Sequence, residues 1–278
     1  MATRLLERGF ALVAAGNLKG SQGCWETMDV PVVQDTLRAW RKKHKLRSSL
    51  PLFALGPSSG GFFATQFARH VRDVRALSIQ VSVPSYEDVQ SPLPSGSTAF
   101  PPLQVILMQR DVGKLRDAQS LGMSGGGSAG SRQSAHWADS QGVEWAGRRH
   151  AEMLISRPKP VHPDFFSSAI PGLPLNASSN VRAELVRAGF INDATSMVVS
   201  HPSRGTWRDA VRRGLLDEHG KQRSDRLPQG SLQLAMDAVF ARLDLAYAYH
   251  ASTCEHIEAT ADFFHRAAHA TEVDRVRR

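Results

Sequence analysis

The chain reads as an α/β protein with a mostly parallel central sheet flanked by helices. Three observations predict this. Apolar runs of strand length alternate with stretches whose apolar residues recur at helical spacing, in the order β-α-β-α from residue 10 onward. The strongest runs, Leu52-Phe53-Ala54-Leu55 and LQVILM at 103–108, are continuous rather than alternating, as strands covered on both faces are. The turns after those two runs, Gly56-Pro57-Ser58-Ser59-Gly60-Gly61 and Gln109-Arg110-Asp111, are of the kind that gathers at the C-terminal ends of parallel strands.

Residues 3–8 read as the end of a short helix stopped by Gly9. Residues 10–15, FALVAA, read as a buried strand, followed by a polar loop at 16–24 that leads to Trp25 and Asp29. Residues 32–44 are amphipathic, with Val33, Leu37 and Trp40 on one face. After the strand at 52–55 and its glycine turn, Phe62, Phe63, Phe67 and Val71 recur at helical spacing. Residues 74–83 alternate and predict a less fully buried strand, and 84–102 form a Pro/Ser-rich connection. A helix is expected over 114–121, a flexible Gly/Ser-rich insertion over 122–141, and a resumed helix over 143–150. Residues 152–156 read as a last strand, and RPKPVHP at 157–163 excludes helix.

Beyond residue 164 the pattern changes to short helices, 181–188 and 206–216, broken at Asp193 and Pro202. A long helical pattern covers 232–249. Ser252-Thr253 offers an N-cap, with Glu255 and Glu258 in the early turns of a final helix through His269. The expected organisation is a core over 1–163, a helical cap-like segment over 164–229, and C-terminal helices over 230–278 that complete the core.

Composition narrows the function classes. The 278 residues carry a net charge of +8, but the basic residues spread over several segments with no aromatic-interleaved RNA motif, zinc finger or helix-turn-helix signature. No specific nucleic-acid partner is expected, and binding of a polyanion by the basic segments is the weakest of three readings. The two cysteines, Cys24 and Cys254, make no disulfide framework, so a reducing compartment is the default. No run approaches the roughly eighteen apolar residues that a membrane span needs. The N-terminal residues lack a convincing signal-peptide cleavage site, so an intracellular, cytoplasmic location is expected. The histidines show no metal spacing; His265 and His269 stand i,i+4 with no third ligand in sequence. Neither a metal nor a cofactor is expected, and the sequence does not indicate an oligomeric state.

Strand, tight glycine turn, helix is the context that a G-x-S-x-G nucleophile elbow requires. In that frame Gly56 and Gly60 flank Ser58 where a Cβ would meet the opposite arm of the turn. The helix begins directly behind the serine, so its free N–H groups face any oxyanion formed there, with the Ser59 N–H as the expected donor. The same spacing recurs around Ser124 and Ser128, but in low-complexity sequence without a strand before it or a periodic helix after it. A plain βα glycine turn and a phosphate-cradling loop remain open for Ser58. A Walker loop is excluded because no Gly-Lys-Ser/Thr follows.

With Gly23-Cys24-Trp25, LPLFALGPSSGGFFA at 50–64, the strand into Arg110-Asp111, and AYAYH at 246–250, the chain resembles the α/β-hydrolase superfamily. More narrowly, it is similar to poorly characterised hydrolase-like proteins of plants and green algae. The resemblance implies a triad in the order nucleophile, acid, histidine, which Ser58, Asp111 and His250 satisfy. It implies a serine hydrolase acting on an ester or other small acyl substrate through a covalent acyl-enzyme. His162, in the loop after the last predicted strand, competes with His250 as base. Asp111 could instead cap the next helix, and His250 could be satisfied locally.

Three departures favour a second reading, a catalytically silent scaffold that binds a small molecule or partner. The superfamily has further strands before the one expected at 10–15, so either the N-terminus is incomplete, which leaves an organelle open as location, or another loop takes over their part. It takes a second oxyanion N–H from a loop after an earlier strand, for which another loop, such as 16–23, would have to substitute here. Pro57 precedes the nucleophile.

Overall fold

The computed structural model describes residues 1–18, 23–47, 49–97, 99–121, 123, 151–202, 207–216 and 232–276. Nearly all of the expected insertion, 122–141, and the helix expected at 143–150 lie outside the described residues. In chain order the elements are α1 (Ala2–Glu7), α2 (Asp29–Lys43), β1 (Leu52–Pro57), α3 (Ser59–His70), β2 (Val74–Gln80), α4 (Tyr86–Gln90), β3 (Leu103–Met108), α5 (Val112–Ser120), β4 (Ala151–Ser156), α6 (Leu175–Arg187), α7 (Trp207–Leu215), α8 (Leu232–Tyr247) and α9 (Ile257–Val276). They fall into two compact units. The first holds Met1–Leu107, Val112–Ile155 and Ser252–Arg278; the second holds Met108–Asp111 and Ser156–Ala251. The C-terminal helices therefore divide, α8 belonging to the second unit and α9 to the first.

The first unit is built on a four-stranded parallel sheet in the order β1-β2-β3-β4. Phe53 to Pro57 pair with Ala76 to Gln80, and Leu77 to Gln80 pair with Leu103 to Ile106. All six β3 residues are buried, which is why that segment reads as an unbroken apolar run. Leu77, Ile79, Leu103, Val105 and Leu107 form one core with Phe63, Phe67 and Val71 of α3 and its C-cap. Each such side chain contributes about 2 kcal/mol by leaving water.

The other face packs on α9 and carries polar groups that the pattern did not foretell. Gln104, fully buried inside LQVILM, accepts hydrogen bonds at Oε1 from Ser78 (2.8 Å) and Thr260 (2.7 Å), and its Nε2 donates to Glu152 (3.2 Å). A buried amide is tolerable only when satisfied in this way.

The strand expected at 10–15 does not form. Leu12 and Val13 are exposed by 37% and 39%, and among the described residues this segment pairs with no strand. Gly9 turns the chain out of α1 at φ 83°. Phe10 then wedges edge-on against Phe53 and Phe264. Side-chain anchoring replaced the ladder that an apolar run alone cannot guarantee. Arg8 reinforces the anchor, donating to Glu258 at 2.7 Å and to Asp262 at 2.6 Å on α9.

The second unit is helical. Val181 and Leu185 of α6, Trp207, Val211 and Leu215 of α7, and Val239 and Leu243 of α8 form its core. Gly214 lets α7 lie directly on α6, since a Cβ there would stand 2.5 Å from the Val181 Cα. Trp207 stacks on Phe240 at 5.1 Å.

Candidate active site

Ser58 is exposed at the junction of β1 and α3, as the first residue past the strand and the N-cap of the helix. Its amide extends the ladder by one bond, donating to the Gln80 carbonyl at 2.8 Å, and its carbonyl accepts from Gly61 and Phe62 in the first helical turn. Its backbone sits at φ 51°, ψ −121°. This is the first central position of a type II′ turn, normally held by glycine. A side chain there costs on the order of 1–3 kcal/mol unless the surroundings impose it.

The surroundings do impose it, through a different pair of glycines than the sequence indicated. A Cβ on Gly56 would lie 2.1 Å from the Gly60 carbonyl oxygen and 2.3 Å from its carbon, so β1 and α3 close on each other there. At Gly60 the expected collision is absent. The nearest atoms to a Cβ are Pro57 Cδ at 3.4 Å and the Trp25 indole at 3.9 Å, ordinary contacts. The second obligatory glycine is Gly61, whose Cβ would stand 2.6 Å from the Ser82 Cβ. Thus Gly56 and Gly61 hold the turn, because the backbone beside Ser58 is crowded from β1 and from the residue pair after β2. The Ser59 and Gly60 amides open α3, where helix geometry supplies no acceptor four residues back. They lie at the positive end of the helix dipole.

The loop before α2 borders this turn. Asp29, buried at the start of α2, accepts from the Leu18 amide at 2.8 Å and the Glu26 amide at 2.7 Å. That fixes Trp25, which packs on Phe63 at 4.3 Å.

In the second unit the turn after β3, closed by the Asp111 amide on the Met108 carbonyl at 3.0 Å, carries Asp111. Its carboxylate is buried and its Oδ2 lies 2.9 Å from Nδ1 of His250, whose side chain is 39% exposed. An ionised carboxylate only accepts, so Nδ1 carries the proton and Nε2 is left as the basic nitrogen. The backbone clamps this pair, since the Arg110 amide donates to the Ala248 carbonyl at 2.9 Å. Ala248 is the reason α8 ends at Tyr247 and not at Tyr249 as the pattern suggested. It adopts φ 56° while its amide returns to the Asp244 and Leu245 carbonyls, so the chain leaves the helix and His250 projects from it.

His162 is exposed, and its carbonyl closes a turn by accepting from the Phe165 amide at 3.0 Å. Of the two histidines singled out by sequence, His250 is the one on Asp111. Among the described residues no group of three His, Cys, Asp or Glu side chains could hold a metal, and no helix is long and apolar enough to cross a membrane. Sequence reasoning missed three participants: Gly61, the Arg110–Ala248 clamp, and a second acid–imidazole pair, His201 and Asp244. Only Gly61 left a signal, as the second glycine of a Gly-Gly pair. Comparisons with known protein families, with curated proteins and with solved structures find no match for this chain.

Proposed function

We propose that the chain is a serine hydrolase of the α/β-hydrolase type, acting on an ester or other acyl substrate through a covalent acyl-enzyme. The observation that carries this reading is the backbone of Ser58: a residue with a side chain, exposed, held where glycine belongs, between a strand and a helix N-terminus. Strain of that kind is retained where the side chain is needed. The Asp111–His250 pair supports it with a second element of triad chemistry.

In the proposed reaction Ser58 Oγ attacks the acyl carbon, and its proton passes to Nε2 of His250. Asp111 holds the imidazole tautomer and stabilises the cation so formed. Negative charge on the acyl oxygen is met by the Ser59 amide and the α3 dipole. His250 then protonates the departing alcohol or amine. Water, deprotonated by the same nitrogen, cleaves the acyl-serine, releasing the acid and restoring Ser58.

The test is labelling by a fluorophosphonate, with the modified residue mapped by mass spectrometry, beside turnover of a p-nitrophenyl ester. Wild type is expected to carry the probe on Ser58 and to turn over the ester, and Ser58→Ala to do neither. A folded protein that takes no probe on Ser58 would remove the catalytic reading and leave a silent scaffold of the same fold.

A further inference from the structure

Helix α2 is amphipathic, but its outer side is not uniformly polar. Val30, Val33 and Leu37 turn one side of the helix to the core of the first unit. On the opposite side Met28, Val32, Asp35, Arg38 and Lys42 recur at intervals of three and four residues, all of them exposed. Met28, at the N-cap, is 63% exposed and Val32 42%. Leu18, 57% exposed, is held beside the start of the helix, because its amide donates to the Asp29 carboxylate at 2.8 Å. Three large apolar side chains thus face water at that end.

The other end is cationic. Lys42, Lys43, Lys45 and Arg47 are exposed, and among the described residues no carboxylate pairs with any of them. The acid in the stripe, Asp35, is already neutralised by Arg38 at 2.8 Å. From residue 36 to residue 72 the chain holds no further aspartate or glutamate. The helix dipole favours cations only within its last turn. It therefore accounts for Lys42 and Lys43 but not for Lys45 and Arg47, which lie beyond the C-cap at His44.

We infer that the outer side of α2 is a docking surface for an anionic lipid bilayer. Leu18, Met28 and Val32 enter the boundary between headgroups and acyl chains, and the cations at the far end meet lipid phosphates and carboxylates. From Met28 to Lys42 the stripe runs about 21 Å, so the helix lies along the surface and both of its ends engage. Charge complementarity and exposed apolar bulk on one helix select this occupant. A nucleic acid would use the cations but gains nothing from Met28 and Val32, whereas a bilayer uses both. The inference is independent of the proposed reaction, since it involves none of its groups.

The test is cosedimentation of the full chain with phosphatidylcholine vesicles that contain about 30% phosphatidylserine, beside vesicles of phosphatidylcholine alone. The protein is expected to pellet with the first and not the second, and to be released in about 1 M salt, where screening shortens to about 3 Å. Lys42→Gln combined with Lys43→Gln should weaken binding roughly twenty-five-fold, at about fivefold per charge. Met28→Ser combined with Val32→Ser should weaken it roughly tenfold with the charge unchanged. All four side chains are exposed, so both variants should keep the wild-type circular dichroism spectrum. No pelleting with the anionic vesicles, equal pelleting with the neutral ones, or wild-type affinity in either double variant overturns the inference. Binding of single-stranded RNA in place of vesicles, unaffected by the serine substitutions, would assign the surface to nucleic acid and overturn it as well.

Discussion

Three glycines within six residues meet three different environments, which makes the turn around Ser58 testable one methyl at a time. Alanine at Gly56 would put Cβ 2.1 Å from the Gly60 carbonyl oxygen, against a floor of 3.0 Å that real Cβ contacts respect. Something must move by about 0.9 Å, the difference between those two distances, and both partners are backbone. Relief by side-chain rotation is not available there. The cost belongs at the upper end for overpacking, about 3 kcal/mol or more. For a domain whose whole stability is on the order of 5–15 kcal/mol, that is a large share.

Alanine at Gly61 meets the Ser82 Cβ at 2.6 Å, a deficit of about 0.4 Å, and should cost roughly 1–2 kcal/mol. Alanine at Gly60 meets only ordinary contacts. It also gains up to about 1 kcal/mol of helix propensity in the first turn of α3, so it should leave stability within about 0.5 kcal/mol of wild type. Urea unfolding by far-UV circular dichroism ranks the three, and hydrogen exchange over β1 and α3 shows whether the loss is local. If Gly60→Ala is as damaging as Gly56→Ala, or if Gly56→Ala unfolds with the wild type, the account of the turn is wrong.

Ser58→Gly should stabilise the fold by about 0.5–1 kcal/mol, since relief of a positive φ outweighs the freedom a glycine adds to the unfolded chain; equal denaturation midpoints for Ser58→Gly and Ser58→Ala would deny the strain. Asp111→Asn should lower kcat on a p-nitrophenyl ester by about 10³- to 10⁴-fold while the fold persists, because the imidazole tautomer is no longer fixed; a loss below tenfold contradicts its role. Gln104→Leu leaves the Ser78 and Thr260 hydroxyls buried without their acceptor and should cost about 2 kcal/mol, read from the urea midpoint. The Glu184 carboxyl is held below its ordinary 4.5, first by the hydrogen bond from Arg213 and also by Arg187. Its stabilisation is thus present above that value and lost as pH falls through the lowered one. Both arginines are exposed, so Glu184→Gln should cost no more than about 1 kcal/mol at pH 7. That difference should vanish on acidification, and a difference that grows in acid would reverse the assignment.

The sheet was legible in the apolar runs at 52–55 and 103–108, the second of them buried throughout. The alternating residues of 74–80 promised a less covered strand, but six of those seven residues are buried, with Ser78 bonded to Gln104 and Gln80 accepting from the Thr253 amide. FALVAA at 10–15 has the same composition and makes no strand, since a run of apolar residues records the wish for burial and not the presence of a hydrogen-bonding neighbour. Asp111 and His250 could be picked out because each follows an element end, where the chain exposes side chains by default. Gln104 and Asp244 could not be. Each is a polar residue inside an apolar or helical pattern, and what justifies it comes from residues more than forty positions away: Thr260 and Glu152 for the first, His201 for the second. The role of Gly60 was misjudged for a related reason. Which of two adjacent glycines faces a neighbour depends on how the helix leaves the turn, and that is set by Ser82 after β2.

The strained residues follow the same geography. Among the described residues, five other than glycine take positive φ: Lys45, Ser58, Val81, Ser196 and Ala248. Lys45 is exposed just beyond α2, where such a turn is cheap. Val81 is buried and β-branched, the type that resists this conformation most. It stands one residue past β2 as Ser58 stands one residue past β1. Its amide carries the ladder on to the Ile106 carbonyl at 2.8 Å, as the Ser58 amide does to the Gln80 carbonyl. The strand ends are thus staggered by a repeated device, in which one more ladder bond is made and the backbone then reverses sharply. At β2 the reversal brings Ser82 against Gly61, and Gly61 in turn constrains the turn that bears Ser58. The unfavourable conformation of Val81 is therefore a support for that of Ser58. Relaxing Val81 would free the space that now obliges residue 61 to be glycine.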